Sequence, residues 1–378
     1  MNGLKPLGKI NGLIVLFLFL VLILPVIFIF SFDLNAYFIP KPELNRFYVY
    51  SFLYSILGIL ASAIIGRIFR KDQKSSLPSV LRLIIGILWV VDGILQFQPE
   101  MPYGFLSFVI GPSIQSINNL SVENFLMIGY NLWLIHPFQF DALSGALQIF
   151  IGFSYLINDK RKALKYISIF SIIWSLVIWV FGEGFGGIPE SGVSLLKGFP
   201  GSALIYILLS IPFISPKFEN AKYLRNFFLH FISAIFIIGA FLQLIPGNTF
   251  WSRRQISFDI FMNIQQQGEN PVVYFILNHA YVYFIYREDY VNVFLFLSMF
   301  AIGIMVLLNI RGGLILAMIF TGITWVLFQD MGIFINPATD PNTGLPLLMM
   351  IAVLLILERS ADGKSHNNTL QGNNVLST

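Results

Sequence analysis

The sequence predicts an all-α, polytopic integral membrane protein with about ten transmembrane helices. Of its 378 residues 56% are apolar and 11% charged, the mean hydropathy is +0.77, and apolar runs of spanning length recur along the chain. So few charges do not cover a water-soluble globule of this size, and lipid is the solvent expected for most of the chain.

The apolar runs lie near 12–31, 47–66, 80–98, 140–157, 166–182, 200–215, 226–246, 291–309, 313–328 and 345–358. Backbone amides find no water inside a bilayer, so each run is expected to be helical. The first follows Lys5 and Lys9, as a signal peptide would. It is long enough to span and no small-x-small site follows, so it reads as a retained helix. The runs at 200–215 and 345–358 fall short of the ~20 residues of an upright span, and need flanking residues, local thinning or protein cover. Two long segments, about 99–139 and 247–290, interrupt the series with apolar stretches of their own, Phe125 to Ile135 and Pro271 to Tyr286. Counting either alone as a crossing would move the basic cluster Lys160 to Lys165, or Arg311, to the wrong face. Both are expected to lie in or over the outer interface, with a hidden pair of crossings as the alternative.

Loop charge sets the orientation. With the N-terminus inside, 17 of the 23 lysines and arginines fall in cytoplasmic segments, from Lys5 to Lys364, leaving Lys41, Arg46, Lys197, Arg253, Arg254 and Arg287 outside. Ten helices with both termini cytoplasmic fit this pattern. The tail Ser360 to Thr378, polar and asparagine-rich, is expected to be disordered and cytoplasmic. The net charge of +4 does not form a basic stripe interleaved with aromatics, so no nucleic-acid partner is expected; the bilayer is. Cysteine is absent, which excludes disulfides, thiolate-held clusters and a cysteine nucleophile within the chain.

The chain repeats itself. Trp179, Gly186, Gly198 and Pro200 recur as Trp325, Gly332, Gly344 and Pro346 at a spacing of 146 residues, and Leu95, Gln96 and Pro99 recur as Leu242, Gln243 and Pro246 at 147. Gly152 and Asn158 align with Gly303 and Asn309 once loop insertions are allowed. An even number of crossings per unit makes the copies parallel, related by an axis along the membrane normal. The expected organisation is two N-terminal helices in 1–76, a four-helix repeat in 77–216, a second in 217–359, and the tail 360–378.

The unit, four helices with an extended outer segment after the first, resembles the DoxX/DoxD-like membrane family. "RLIIGILWVVDGILQF" is similar to that family's opening helix, and "LSGALQIFIGFSYLINDKRKALKYISIF" to its second helix, arginine-bearing inner turn and third helix. The resemblance covers roughly 80–215 and 222–358. The family includes the membrane subunit of archaeal thiosulfate:quinone oxidoreductase, so the resemblance implies quinone-linked electron transport beside other subunits of a membrane complex. It carries over no catalytic residue.

Asp92 is the one acid well inside an otherwise apolar span, with Gln96 a helical turn later on the same face. A buried carboxyl in lipid marks either a functional site or a protonated side chain bonded to a neighbouring helix. Glu183, in "GEGFGGIPESG", ends another helix among glycines. It is either part of a polar pocket at the outer mouth or a solvated acid at a glycine-rich terminus. Asp92, Gln96 and Glu183 are at compatible heights for one cavity opening outward. The counterpart "FQDMGIFINPATDP" supplies Gln329 and Asp330. Four histidines, His136, His230, His279 and His366, offer few ligands; a bis-histidine haem would use His136 and His279, but their spacing of 143 misses the repeat register, and no metal site is expected. The 39 phenylalanines suit a quinone slot or, more simply, lipid-facing packing. Asn119-Leu120-Ser121 is a glycosylation sequon on the outer side.

Three functions follow from different classes. The chain is the membrane-anchor subunit of a quinone-linked respiratory or sulfur-oxidising complex, a small-solute or ion transporter, or a non-catalytic scaffold for an extracytoplasmic partner. The resemblance favours the first. The paired short helices in a parallel duplication favour the second.

Overall fold

In the computed structural model the described residues are 41–117, 119–190, 192–245, 249–252, 254–266, 271–332 and 337–357. They form an all-α protein. The expected first helix near 12–31 and the tail Ser360 to Thr378 lie outside them. The principal helices are α1 (Lys41–Ile68), α2 (Ser79–Leu95), α3 (Leu120–Ile135), α4 (Pro137–Ile157), α5 (Arg161–Val177), α6 (Ser202–Ser210), α7 (Ala221–Leu244), α8 (Gln255–Gln266), α9 (Pro271–Phe284), α10 (Glu288–Leu307), α11 (Arg311–Leu327) and α12 (Gly344–Leu357). Five are long and apolar enough to cross a membrane: α1, α4, α5 with its π-helical continuation Ile178–Gly182, α7 and α10. Their outward faces carry large hydrophobic side chains, among them Phe52, Leu57, Ile64, Ile173, Phe241, Phe294 and Leu297.

Glycine decides how closely the helices approach. A Cβ on Gly93 of α2 would lie 2.7 Å from the carbonyl oxygen of Gly145 on α4, and one on Gly152 would lie 2.7 Å from the carbonyl oxygen of Gly86. The backbones meet because neither side carries a side chain. α7 and α10 meet with glycine on one side only: a Cβ on Gly303 would lie 3.2 Å from the Ser233 carbonyl oxygen and 2.6 Å from the Ile237 side chain. Gly86 and Val90, which face Gly152, precede Ser233 and Ile237 by 147 residues.

The basic loops gather at one end. Lys74 pairs with Asp159 at 2.8 Å, Arg161 with Glu219 at 3.4 Å, and Arg225 hydrogen-bonds Asn309. Such exposed pairs add little stability, but they place the loops together.

At the opposite end each half lends a loop to the other. From the second half, Ala338 exchanges two hydrogen bonds with the Gln98 side chain, at 2.7 and 3.3 Å. From the first, Ser194 donates to Gln243 at 2.9 Å, the Leu195 carbonyl accepts from Gln329 at 3.3 Å, and the Gly198 carbonyl accepts from Thr343 at 2.5 Å.

The segment 101–135 walls off the first half. Met101, Phe105, Leu106, Ile110, Ile114, Ile117 and Leu126 form a small core of their own. The Asn119 side chain caps α3, accepting from the amides of Ser121 and Val122.

Candidate functional site

A cavity of about 320 Å³ lies in the first half, and Asp92, Gln96 and Glu183 all line it. α2 brings Asp92 and Gln96 to it, and α3, α4 and α5 contribute Trp133, Phe140, Gln148, Trp174 and Phe181. α6 presents Ser202 and Tyr206, and the loop lent by the second half adds Thr339 and Asp340.

Glu183 is held by the turn that follows α5. Gly184, Phe185, Gly186 and Gly187 have φ of 53°, 62°, 64° and 76°, a left-handed run tolerated because three of the four are glycine. A Cβ on Gly186 would collide with the Pro200 carbonyl oxygen, and one on Gly201 with the Glu183 carboxylate. Trp179 donates to that Pro200 carbonyl at 2.9 Å. Thus fixed, Glu183 Oε1 accepts from Ser202 Oγ at 2.5 Å and from the Ala203 amide at 3.0 Å, capping α6 at its positive end. Glu183 is half-buried as a residue, yet its carboxylate is enclosed, with Oε2 unpartnered.

The second half repeats these contacts with an amide for the acid. Trp325 donates to the Pro341 carbonyl at 2.8 Å, and Gln329 Oε1 accepts from the Gly344 amide that opens α12 at 2.8 Å. Trp179 and Glu183 precede Trp325 and Gln329 by 146 residues, as the sequence register has it. Beyond the turn, however, the hydrogen bonds equate Pro200 with Pro341, a spacing of 141, rather than with Pro346. The second-half loop is shorter by five residues, which an ungapped comparison cannot reveal.

Around the cavity, Asp92 Oδ1, Gln96 Oε1, Gln148 Oε1, Glu183 Oε2 and Asp340 Oδ1 are buried without a hydrogen-bond partner, as are the donors Trp133 Nε1, Trp174 Nε1 and Tyr206 OH. The Tyr206 hydroxyl lies beside the Asp92 carboxyl without a bond of ordinary geometry. Burial, then the neighbouring Asp340, holds Glu183 above the usual carboxylate range, against the hydrogen bonds from Ser202 and Ala203. Burial also raises Asp340. Among the described residues, no lysine, arginine or histidine lines the cavity.

Sequence reasoning missed Asp340, Tyr206, Gln148 and Ser202. Asp340 stands in the segment read as the counterpart of the glycine-rich turn, but the exchanged loop carries it into the other half. Asp330, by contrast, is fully buried outside this cavity. Asp141, at the start of α4, is also fully buried and drew no notice in the sequence, where it stands at the edge of an apolar run.

His136 lies exposed between α3 and α4, and His279 is exposed on α9 with Nδ1 at 2.7 Å from the Phe275 carbonyl oxygen. Neither lines the cavity. No group of three or more histidine, aspartate and glutamate residues able to hold a metal occurs among the described residues. No protein-family model, curated protein or solved structure matches the chain.

Proposed function

We propose that the chain is a duplicated membrane transporter whose first half binds a small organic cation from the outer side. The supporting observation is the convergence of three carboxyl groups, each with an unpartnered oxygen, on one aromatic-walled cavity lined by no basic side chain among the described residues. An ionised carboxylate there needs a counter-charge, because burial of an isolated charge costs several kcal/mol or more. A cation with an apolar body meets both needs, the carboxylates taking its charge and the faces of Trp133, Trp174 and Phe140 its methyl groups. Thermal unfolding of the detergent-purified protein tests this. Tetramethylammonium and choline raise the midpoint in proportion to the logarithm of concentration, whereas carboxylates of similar size do not. Absence of a shift with every amine would remove this reading.

A quinone-linked membrane subunit is the second reading, favoured by the unpartnered donors Trp174 Nε1 and Tyr206 OH in the same cavity, which suit the carbonyl oxygens of a quinone ring. Organic extraction of gently purified protein yields a quinone in that case, and other subunits copurify.

The topology that accompanies the transporter reading has ten crossings, two copies parallel about the membrane normal, both termini cytoplasmic and the cavity facing out. The clustering of the basic loops at the end opposite the cavity supports it. The cysteine-free chain makes single-cysteine labelling decisive: Ser116→Cys labels from outside and Lys162→Cys does not. External labelling of Lys162→Cys reverses the topology.

A further inference from the structure

Below the cavity, towards the end where the basic loops gather, the first half holds a column of buried hydroxyls that the binding of a cation does not use. α5 contributes Ser168, Ser171 and Ser175, all fully buried and spaced three and four residues apart, hence on one face. α6 contributes Ser202, Tyr206 and Ser210, four residues apart and likewise on one face. The two faces oppose each other. Ser171 Oγ and Ser210 Oγ are 3.1 Å apart, and Tyr155 OH, from α4, donates to Ser210 Oγ at 3.2 Å and lies 2.7 Å from Ser168 Oγ, a pair in which either hydroxyl can donate. Trp89 donates to Ser171 at 3.0 Å, which leaves the Ser171 proton for Ser210. One turn nearer the cavity, roughly 6 Å of helix rise, come Ser175 and Tyr206. Both are buried, both hydroxyls lack a hydrogen-bond partner, and Tyr206 sits beside Asp92 and lines the cavity.

We propose that this column is a proton path between the acidic cavity and the basic-loop end of the molecule. Its outer end rests on the cavity being a ligand site, whichever ligand fills it. Ser171, Ser210, Tyr155 and Ser168 lie within hydrogen-bond distance of one another in turn, and each can accept a proton on oxygen and release its own to the next once the Tyr155 hydroxyl has turned from Ser210 to Ser168. Between them and the Asp92 carboxyl, where Tyr206 and Ser175 have no direct partner, the proton crosses by way of water. One O–H bond forms and one breaks at each step, no electron moves, and rotation of the hydroxyls resets the chain. A carboxylate left at Asp92 is then ready for a cation, so proton release and cation capture become opposite halves of one exchange.

The second half is an internal comparison. With the register of the matched contacts, Tyr155 corresponds to Val306, Ser168 to Leu314, Ser171 to Ala317, Tyr206 to Leu347, Ser210 to Ile351 and Asp92 to Gly239. Thr321 and Thr343 keep a hydroxyl opposite Ser175 and Ser202. The inner rungs are apolar there, and Leu195 fills the place beside Gly239, its Cβ 2.9 Å from where a Gly239 Cβ would stand. Ordinary packing therefore satisfies this architecture without the hydroxyls. They accompany the acidic cavity and are lost with it.

The full chain in liposomes tests the proposal, with a valinomycin-set potential, an internal pH dye, and tetramethylammonium present or absent. The wild type takes up protons faster than empty vesicles. Tyr155→Phe, which keeps the ring against Phe213, and Ser171→Ala each slow uptake by about a hundredfold, the scale of losing a positioned proton carrier, while Ser171→Thr retains it. Should Tyr155→Phe fail to fold, the Ser171 pair decides. Wild-type uptake no faster than empty vesicles, or uptake at the wild-type rate in Tyr155→Phe and Ser171→Ala, overturns the path. The unfolding shift with tetramethylammonium is read separately and stays unchanged in Tyr155→Phe. Loss of that shift in the wild type, with the flux results intact, removes the cation reading and leaves the path standing.

Discussion

Asp92→Asn and Glu183→Gln each weaken cation binding by ten- to hundredfold, and together they abolish it within the measurable range. A hydrogen bond or contact to a charged group contributes about 1.5–3 kcal/mol, and each amide keeps the size of its acid while removing the charge. The variants should still express, since Gln329 already performs in the second half the capping that Glu183→Gln would leave to an amide in the first. Titration calorimetry with tetramethylammonium measures the loss. The pH dependence carries the same signature. Burial and Asp340 favour the protonated form of Glu183 in the fold. Its contribution to stability is complete below the ordinary carboxylate pKa, about 4.3, and is lost as pH rises through the raised value. Cation affinity moves the other way, because the ligand binds the ionised acid. Rising pH therefore lowers the unfolding midpoint of the ligand-free protein and enlarges the ligand-induced shift, and Glu183→Gln flattens both trends. Equal affinity in wild type and double variant would show that the cavity acids do not contact the ligand.

The second large effect is on folding. Gly93→Val places a branched side chain where even a Cβ would lie 2.7 Å from the Gly145 carbonyl oxygen and 2.7 Å from Ile149. The obstacle is largely backbone, so α2 and α4 must separate. Overpacking of this kind costs about 1–3 kcal/mol, and more where backbones must move. Asp92 is the preceding residue, so the same displacement opens the cavity. The expected outcome is loss of monodisperse protein in detergent, or an unfolding midpoint well below the wild type with no cation shift. Gly322→Ala is the matched control. Nothing lies within 4 Å of a Cβ there, and replacing a helical glycine stabilises by about 0.4–1 kcal/mol. A Gly93→Val protein as stable as wild type would mean that the α2–α4 approach contributes little to the fold.

The second half retains the frame of the site without its chemistry. Its tryptophan, its helix-capping side chain and its glycine contacts recur, but Gln329 replaces Glu183 and Gly239 replaces Asp92. Under the duplication reading, one copy kept a polar cavity while the other became the packed partner that lends it Asp340.

The sequence by itself determined the helical membrane class, because an excess of apolar residues in runs of spanning length has no other stable arrangement of backbone hydrogen bonds in lipid. It also marked Asp92, Gln96 and Glu183, since a carboxyl within or ending an apolar helix is conspicuous against its neighbours. The Trp179 and Trp325 register was legible because it lies within continuous helix and turn, where spacing is preserved. Tertiary structure alone decided the rest. Asp340 is 248 residues from Asp92 and reaches it by a loop exchanged between halves. Ser171, Ser210 and Tyr155 are ordinary polar residues in their own helices and become a column only where α4, α5 and α6 face one another. The displacement of Pro200's counterpart from Pro346 to Pro341 was hidden for the same reason: a loop deletion leaves no trace in local periodicity, and the hydrogen bond that identifies the equivalent carbonyl exists only in the folded chain.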